Sequence, residues 1–252
     1  MRKSQRVHLL NSLNIHIVAS SSAGNCVIIG DGVSSIMLDC GLSYRKILKD
    51  MPIDIQMVLV SHEHLDHSKA AKELIRRGYD VGMSKGTADA LGLKGYTRLK
   101  SLEQRETGGW LIVPFEVSHD CAEPLGFLIE SKTTGGKAVF IVDSAIVDYD
   151  FTGVTHWLVE VNYAEDILAK SEHKEWLKDR IRGSHFSLDN LKTFLSTSDL
   201  SKTQAIYLLH LSDSNSDEKR FINEVQAVTG VPTYAGQREQ RAFNPRMEAT
   251  TG

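Results

Sequence analysis

The segment SHEHLDHS, residues 61–68, places His62, His64, Asp66 and His67 within six consecutive positions. Three imidazoles and a carboxylate are costly to bury without partners. They are also ligands of choice for zinc, manganese or iron. His62 and His64 stand two apart, so in extended backbone they project to the same side. Asp66 and His67 follow at the start of a helical pattern and can reach a second ion. Further ligand types close later apolar runs: His119 after 110–117, Asp143 after FIV, and His210 after AIYLL. Any one of these alone is more often a satisfied strand-end residue. Together, with Asp143 serving both ions, they give each ion four protein contacts, the count a two-metal hydrolytic centre needs.

Strands and turns must deliver these residues to one place. Short apolar runs at 15–19, 26–29, 36–39 and 57–60 read as strands, with the small polar turn SSSAGN between the first two. From Asp66, in the position of an N-cap, the spacing of Ala70, Leu74 and Arg77 predicts a helix that Gly78 ends. Strands are expected at 79–83, 110–117, 125–130, 138–142, 157–161, 205–210 and 232–234, with glycine pairs turning the chain at 108–109 and 135–136. Helices are expected at 44–49, 87–91, 167–182, 188–196 and 217–228. Many strands, then more helices, then strands again favour an α/β sandwich over a doubly wound parallel sheet. No linker divides the chain, so residues 1–252 are read as one domain, with an N-terminal extension at 1–13 and a polar tail at 237–252.

The order HxHxDH, His, Asp, His at successive strand ends resembles the metallo-β-lactamase superfamily. The resemblance runs from about residue 14 to 236. It implies an αββα sandwich with two metal ions at one edge of the two sheets. It further implies that His62, His64 and His119 hold one ion, that Asp66, His67 and His210 hold the other, and that Asp143 bridges them. Asp39, in MLDCG, matches the early aspartate that braces the ligand loop from behind. The opening HIVASSSAGNCVIIGDGVSSIMLDCGLS and the later VEVNYAEDIL, RIRGSHFSLDN and LLHLSDSN are similar to the YycJ-like (WalJ or VicX) branch. That branch implies a 5′→3′ DNA exonuclease in recombination or repair, with a hydroxide activated by two ions (manganese or zinc, or magnesium) attacking the phosphodiester. Asp66 would orient that hydroxide, and His185 would donate a proton to the leaving oxygen. Two departures stand out: VDSAIV lacks the usual Gly or Thr after Asp143, and GSHFS adds bulk at Phe186.

Other residues carry two readings each. Ser20, Ser21, Gly24 and Asn25 either grip a DNA phosphate or close a hairpin. Asn162 contacts a phosphate or caps a turn. Arg180 and Arg182, beside His185, are a phosphate track or a solvated face. His185 itself, without the resemblance, reads as a surface histidine before an N-cap at Ser187.

Composition bounds the alternatives. The formal net charge is −3, so no global basic field draws nucleic acid and any attraction must be local. Three scattered cysteines make no disulfide framework, which favours a reducing cytoplasm. No apolar run is long enough to span a membrane. DNA, as an end or a single strand, is the expected partner. A single-strand annealing recombinase and a homo-oligomer are further expectations, and a divergent chain of this kind would suit a phage gene in its host's cytoplasm. The competing functions are a phosphodiesterase on cyclic nucleotides or RNA, and a thioesterase. A β-lactam hydrolase usually carries cysteine where Asp143 stands, and a non-catalytic scaffold would have no use for the full ligand set.

Overall fold

Residues 57–60 and 138–142 are apolar at every position, the pattern of strands covered on both faces. The computed structural model, which describes residues 13–236, places both in the middle of sheets. The first sheet has the order β1 (Asn14–Ser21), β2 (Gly24–Gly30), β3 (Ser35–Leu38), β4 (Ile55–Leu59), β5 (Val81–Met83) and β6 (Thr97–Arg98). The second runs in reverse chain order: β13 (Thr233–Ala235), β12 (Ala205–Leu209), β11 (His156–Glu160), β10 (Lys137–Ile141), β9 (Leu125–Ser131), β8 (Trp110–Glu116) and β7 (Arg105–Thr107). Helices α1 (Tyr44–Ile47), α2 (Leu65–Ser68), α3 (Ala71–Arg76) and α4 (Lys85–Leu91) accompany the first sheet. Helices α5 (Glu165–Lys170), α6 (Glu175–Ser184), α7 (Leu188–Thr197) and α8 (Glu218–Thr229) accompany the second. This is the expected αββα sandwich.

Strand alternation sorts the core into three layers. Met57 and Leu59 face Phe140, Leu158 and Phe127 between the sheets. Val58 and Val60, one position out of phase, pack outward with Ile47, Ala71, Leu74 and Ala88 of the first helical layer. Val139, Ile141 and Trp157 pack outward on the other side with Leu191, Leu195, Phe221 and Val225.

The structure corrects several boundaries. Asp66 does not cap a helix; His64 takes the N-cap position and Asp66 lies in the first turn of α2. The helix expected to run unbroken to Arg77 is interrupted at Ala70, whose amide bonds to the Cys40 carbonyl. The helix expected over 167–182 is two helices. Ser171 is extended and its hydroxyl donates to the Leu168 carbonyl, while the Lys178 ammonium donates to the Ala169 carbonyl. These bonds satisfy helix-end carbonyls that the break exposes. The short strands β6 and β7 carry no clear period-2 pattern and were not expected. The N-terminal extension and the tail lie outside the described residues, except that Leu13 is buried in the central layer.

Candidate metal centre

The site lies where parallel strands end. β3 and β4 are parallel, as are β10, β11 and β12. Their C-terminal ends carry Asp39, the 61–67 loop, Asp143, Glu160 and His210 to one edge of the sandwich, and the segment after β8 adds His119. Asp39, Asp143 and His210 all have positive φ, at 56°, 47° and 52°. Non-glycine residues adopt this left-handed backbone at a cost, and such strain clusters where a function requires it. Here it turns each side chain sharply off its strand into the shared edge.

The ring nitrogens are assigned by their neighbours. His62 Nδ1 lies 3.0 Å from Ser61 Oγ, whose hydroxyl is itself committed to Asp39 Oδ2 at 3.0 Å. His67 Nδ1 donates to Asp39 Oδ2 at 2.7 Å, and His119 Nδ1 donates to the Ser184 carbonyl at 3.1 Å. Each imidazole is therefore held with its Nε2 lone pair facing the site, the arrangement metal-ligating histidines adopt. His64 is reversed: its Nδ1 faces His119 Nε2 at 3.3 Å. Asp143 Oδ2 sits among them, 3.3 Å from His62 Nε2, 3.0 Å from His67 Nε2 and 3.9 Å from His119 Nε2. Its Oδ1 lies 2.6 Å from His210 Nδ1, and His210 Nε2 faces Asp66 Oδ2 at 3.7 Å.

Three groups of ligand atoms result, each compact enough to surround an ion: His62, His64, His119 and Asp143; Asp66, His67 and His210; and Asp143, Glu160, His185 and His210. All seven expected ligands are thus brought together, with Asp143 central. His62 Nε2, His210 Nε2 and Asp143 Oδ1 are buried without a well-directed hydrogen-bond partner. Buried polar atoms are seldom left so, and an ion supplies what they lack. The residues fit a metal.

Glu160 carried no role in the sequence reading. It is fully buried, and its Oε1 receives His185 Nδ1 at 2.6 Å and His210 Nδ1 at 3.0 Å. Its Oε2 accepts the Ser144 amide at 3.1 Å. The signal was present: a carboxylate closes the apolar run WLVE, as Asp143 closes its own. His185 caps the C-terminus of α6, and the 185–188 segment is zipped to 162–163 by backbone bonds from Asn162 to Phe186 and from Leu188 to Tyr163.

Charge follows geometry. Burial pushes His62 down to about 4, and the neighbouring His67 adds to the shift. Burial also lowers His119. For His185 burial works against the charge, yet Glu160 outweighs it and raises the imidazole to about 10. His67 and His210 also rise despite burial, chiefly through Asp143. Asp143 is held well below the carboxylate range, against its burial, by His210 and His67. Asp66 is lowered, also against burial, by His210 and His67. The carboxylates demand positive charge, and the imidazoles meet that demand with protons that a metal would displace.

The residues assigned to phosphate are placed differently. Ser20 Oγ accepts the His210 amide at 2.8 Å. Asn25 donates to the Ser21 and Asp66 carbonyls, and a side chain on Gly24 would collide with Leu42. Asn162 donates to the His210 carbonyl. Arg180 is bonded to Asp120, and Arg182 to Glu165 and Asp179. These residues brace the site and one another; Ser20, Ser21, Asn25 and Asn162 are buried.

The comparisons agree with this architecture. Residues 21–146, half of the chain, match the metallo-beta-lactamase superfamily. The chain is 27% identical over 224 residues to exodeoxyribonuclease WalJ of Streptococcus pneumoniae, covering 79% of this chain and 82% of that one. It is 28% identical over 228 residues to exodeoxyribonuclease YycJ of Bacillus anthracis, covering 82% and 85%. Among solved structures, the metallo-beta-lactamase fold protein YhfI from Bacillus subtilis superposes with a TM-score of 0.66 at 14% identity, over 92% of this chain and 99% of that one. With the ligand order, the sandwich and the family match in accord, the chain belongs to the metallo-beta-lactamase superfamily.

Proposed function

We propose that the chain is a metal-dependent nuclease that shortens DNA from the 5′ end. The observation that carries this reading is the pairing of two ligand clusters, joined at Asp143, with a partly exposed histidine fixed beside them by a buried glutamate. Its relatives named exodeoxyribonucleases support DNA as the substrate.

His62, His64 and His119 would hold one ion, Asp66, His67 and His210 the other, with Asp143 reaching both. Two divalent ions also suit the charge. With the ligating imidazoles neutral and Glu160 paired to a charged His185, Asp39, Asp66 and Asp143 leave three negative charges in the site for two divalent cations to offset. Zinc and manganese both suit this mix of imidazole and carboxylate. When bound, the ions supply Lewis-acid charge and make water a nucleophile at neutral pH.

The chain's own residues do the rest. Asp66, with a quarter of its side chain exposed, lies on the open side of the cluster and orients the attacking water. His185 donates Nδ1–H to Glu160, which fixes its ring between His119 and His210 and favours its charged form. Its Nε2 is then placed to give a proton to the leaving oxygen. Asp39 and Ser61 hold His67 and His62 in register. Among the described residues no helix is long and apolar enough to cross a membrane, which is compatible with work in the cytoplasm.

The test is linear duplex DNA labelled at either end and supplied with manganese, magnesium or zinc. Stepwise release of the 5′ label is expected, abolished by EDTA and by Asp66→Ala. Absence of cleavage with every metal, or full activity of Asp66→Ala, overturns the reading.

A further inference from the structure

A nuclease whose net charge is −3 and whose centre gathers four carboxylates must attract phosphates from elsewhere on its surface. The basic run of α6 does not serve. Lys178 is buried against the Ala169 carbonyl, and Arg180 and Arg182 are spent on carboxylates. Among the described residues Lys170, Lys174, Lys202 and Lys219 are exposed without an ion pair on this layer, but a larger group of such cations gathers on the opposite helical layer. Segments 44–50 and 69–77 hold seven lysines and arginines against two carboxylates. Arg45, Lys46, Lys49, Lys69 and Lys72 are all exposed, and among the described residues none forms an ion pair. Arg76 and Arg77 share the single carboxylate of Glu73, leaving one positive charge over.

This face is continuous with the metal cluster. Lys69 is the C-cap of α2, the helix whose first turn carries Asp66 and His67. Past the break at Ala70, Lys72 and Arg76 stand four apart on one face of α3, so basic residues lead outward from the ligand loop over roughly 10–15 Å. α1 starts from the same rim. Gly41 lies so close to Asp66 that a Cβ there would meet its carbonyl oxygen at 1.6 Å, and Ile47 packs with Ala70, Ala71 and Leu74. The Arg77 guanidinium covers the Tyr44 ring at 4.2 Å, joining the start of α1 to the far end of α3.

We infer that this basic face, formed by Arg45, Lys46, Lys49, Lys69 and Lys72, binds the sugar-phosphate backbone of the duplex behind the end being cleaved. The inference rests on the nuclease reading. Five cations over such a length match several phosphates of one strand, which repeat about every 3.4 Å along a duplex. Contacts of this kind carry no sequence information and suit an enzyme that must accept any end.

The test compares the wild-type chain with the variant Lys46→Gln/Lys49→Gln/Lys69→Gln/Lys72→Gln, and with Lys202→Gln/Lys219→Gln on the other layer as a charge control. Binding and cleavage of linear duplex DNA are followed between about 50 and 200 mM salt. The fourfold variant is expected to raise Kd and KM on the order of tenfold to a hundredfold at low salt. It should also flatten the slope of log Kd against log salt by up to about four, close to one per lost contact. The control should shift neither. A fourfold variant with wild-type KM and slope, while the wild type still cleaves DNA, overturns the inference and leaves the nuclease reading standing. A wild type that neither binds nor cleaves DNA removes both. Co-sedimentation with phosphatidylserine vesicles that the fourfold variant loses, with DNA binding unchanged, reassigns the face to a membrane surface and also overturns the inference.

Discussion

Two buried polar clusters sit at opposite ends of the sandwich, and they differ in one respect. At the end where β3 and β10 begin, Asp31, Ser34, Ser131 and Trp110 form a closed network. Asp31 Oδ1 accepts the amides of Val33 and Ser34 at 2.9 and 2.8 Å, and its Oδ2 accepts the Ser131 hydroxyl at 2.8 Å. Ser131 Oγ accepts two further amides, and Trp110 Nε1 donates to Ser34 Oγ at 2.8 Å. At the end where the same strands finish, three buried ligand atoms lack a directed partner. A satisfied network inside a low-dielectric interior is a staple between turns. An unsatisfied one made of converging ligand atoms is a place for something else to bind. Similar residue types at similar depth thus serve stability at one end and chemistry at the other.

The comparison breaks most visibly at His185. His185→Ala should lower turnover on DNA by roughly 10²-fold or more, the scale of general acid–base groups, while the melting temperature holds. Unchanged turnover would remove the proton-donor role. Asp39 tests how far the open cluster depends on its support. Asp39→Asn keeps the shape but loses the charge on which His67 Nδ1 rests, so metal affinity should fall about 10–100-fold. Excess metal should restore much of the activity, which a merely misfolded variant would not allow.

The open cluster was largely legible in the sequence because imidazole and carboxylate side chains at strand ends have few structural uses. The seven residues expected as ligands, which the structure brings together, were read that way. Glu160 was passed over because one glutamate after an apolar run is a weaker sign than HxHxDH. The left-handed backbone at Asp39, Asp143 and His210 had no signal, since none of them is glycine. The αββα layering followed from strand patterns read with the family resemblance. The break between α5 and α6 did not, because it depends on a lysine reaching a carbonyl nine residues back. Arg180 and Arg182 carried two readings for a related reason: sequence proximity to His185 suggested a phosphate track, and only their carboxylate partners, set by the fold, show them paired.

The closed cluster predicts the reverse pattern of effects. Asp31→Ala strands two amides and a hydroxyl, and should cost about 2 kcal/mol. On a chain of this size that lowers the melting temperature by roughly 4–8 °C, with turnover at room temperature unchanged. Its pH dependence has a definite sign. Burial raises the Asp31 pKa, but the amides of Ser34 and Val33 and the Ser131 hydroxyl outweigh it, and the net shift is downward. A carboxylate with a depressed folded pKa adds stability that is present above its unfolded pKa, near about 4. That stability is lost as pH falls through the lower folded value. The gap between wild type and Asp31→Ala should therefore be full at neutral pH and shrink below about pH 4. A gap independent of pH would mean that the carboxylate charge contributes nothing there.

Trp110→Phe is the smallest step and the sharpest control. Trp110 is fully buried at the start of β8, and its indole N–H is the one donor to Ser34 Oγ from the second sheet. Phenylalanine keeps most of the apolar contact with the central layer and removes that donor. Ser34 Oγ keeps a partner, since it still donates to the Gly108 carbonyl at 3.2 Å. The loss should then be about 1 kcal/mol, the net worth of one neutral hydrogen bond. In an Asp31→Ala background it should be smaller, because the turn that orients Ser34 is already loosened and residues in one network couple. Equal losses in both backgrounds would show two independent bonds instead of a closed network, and the contrast between the two ends of the sandwich would weaken accordingly.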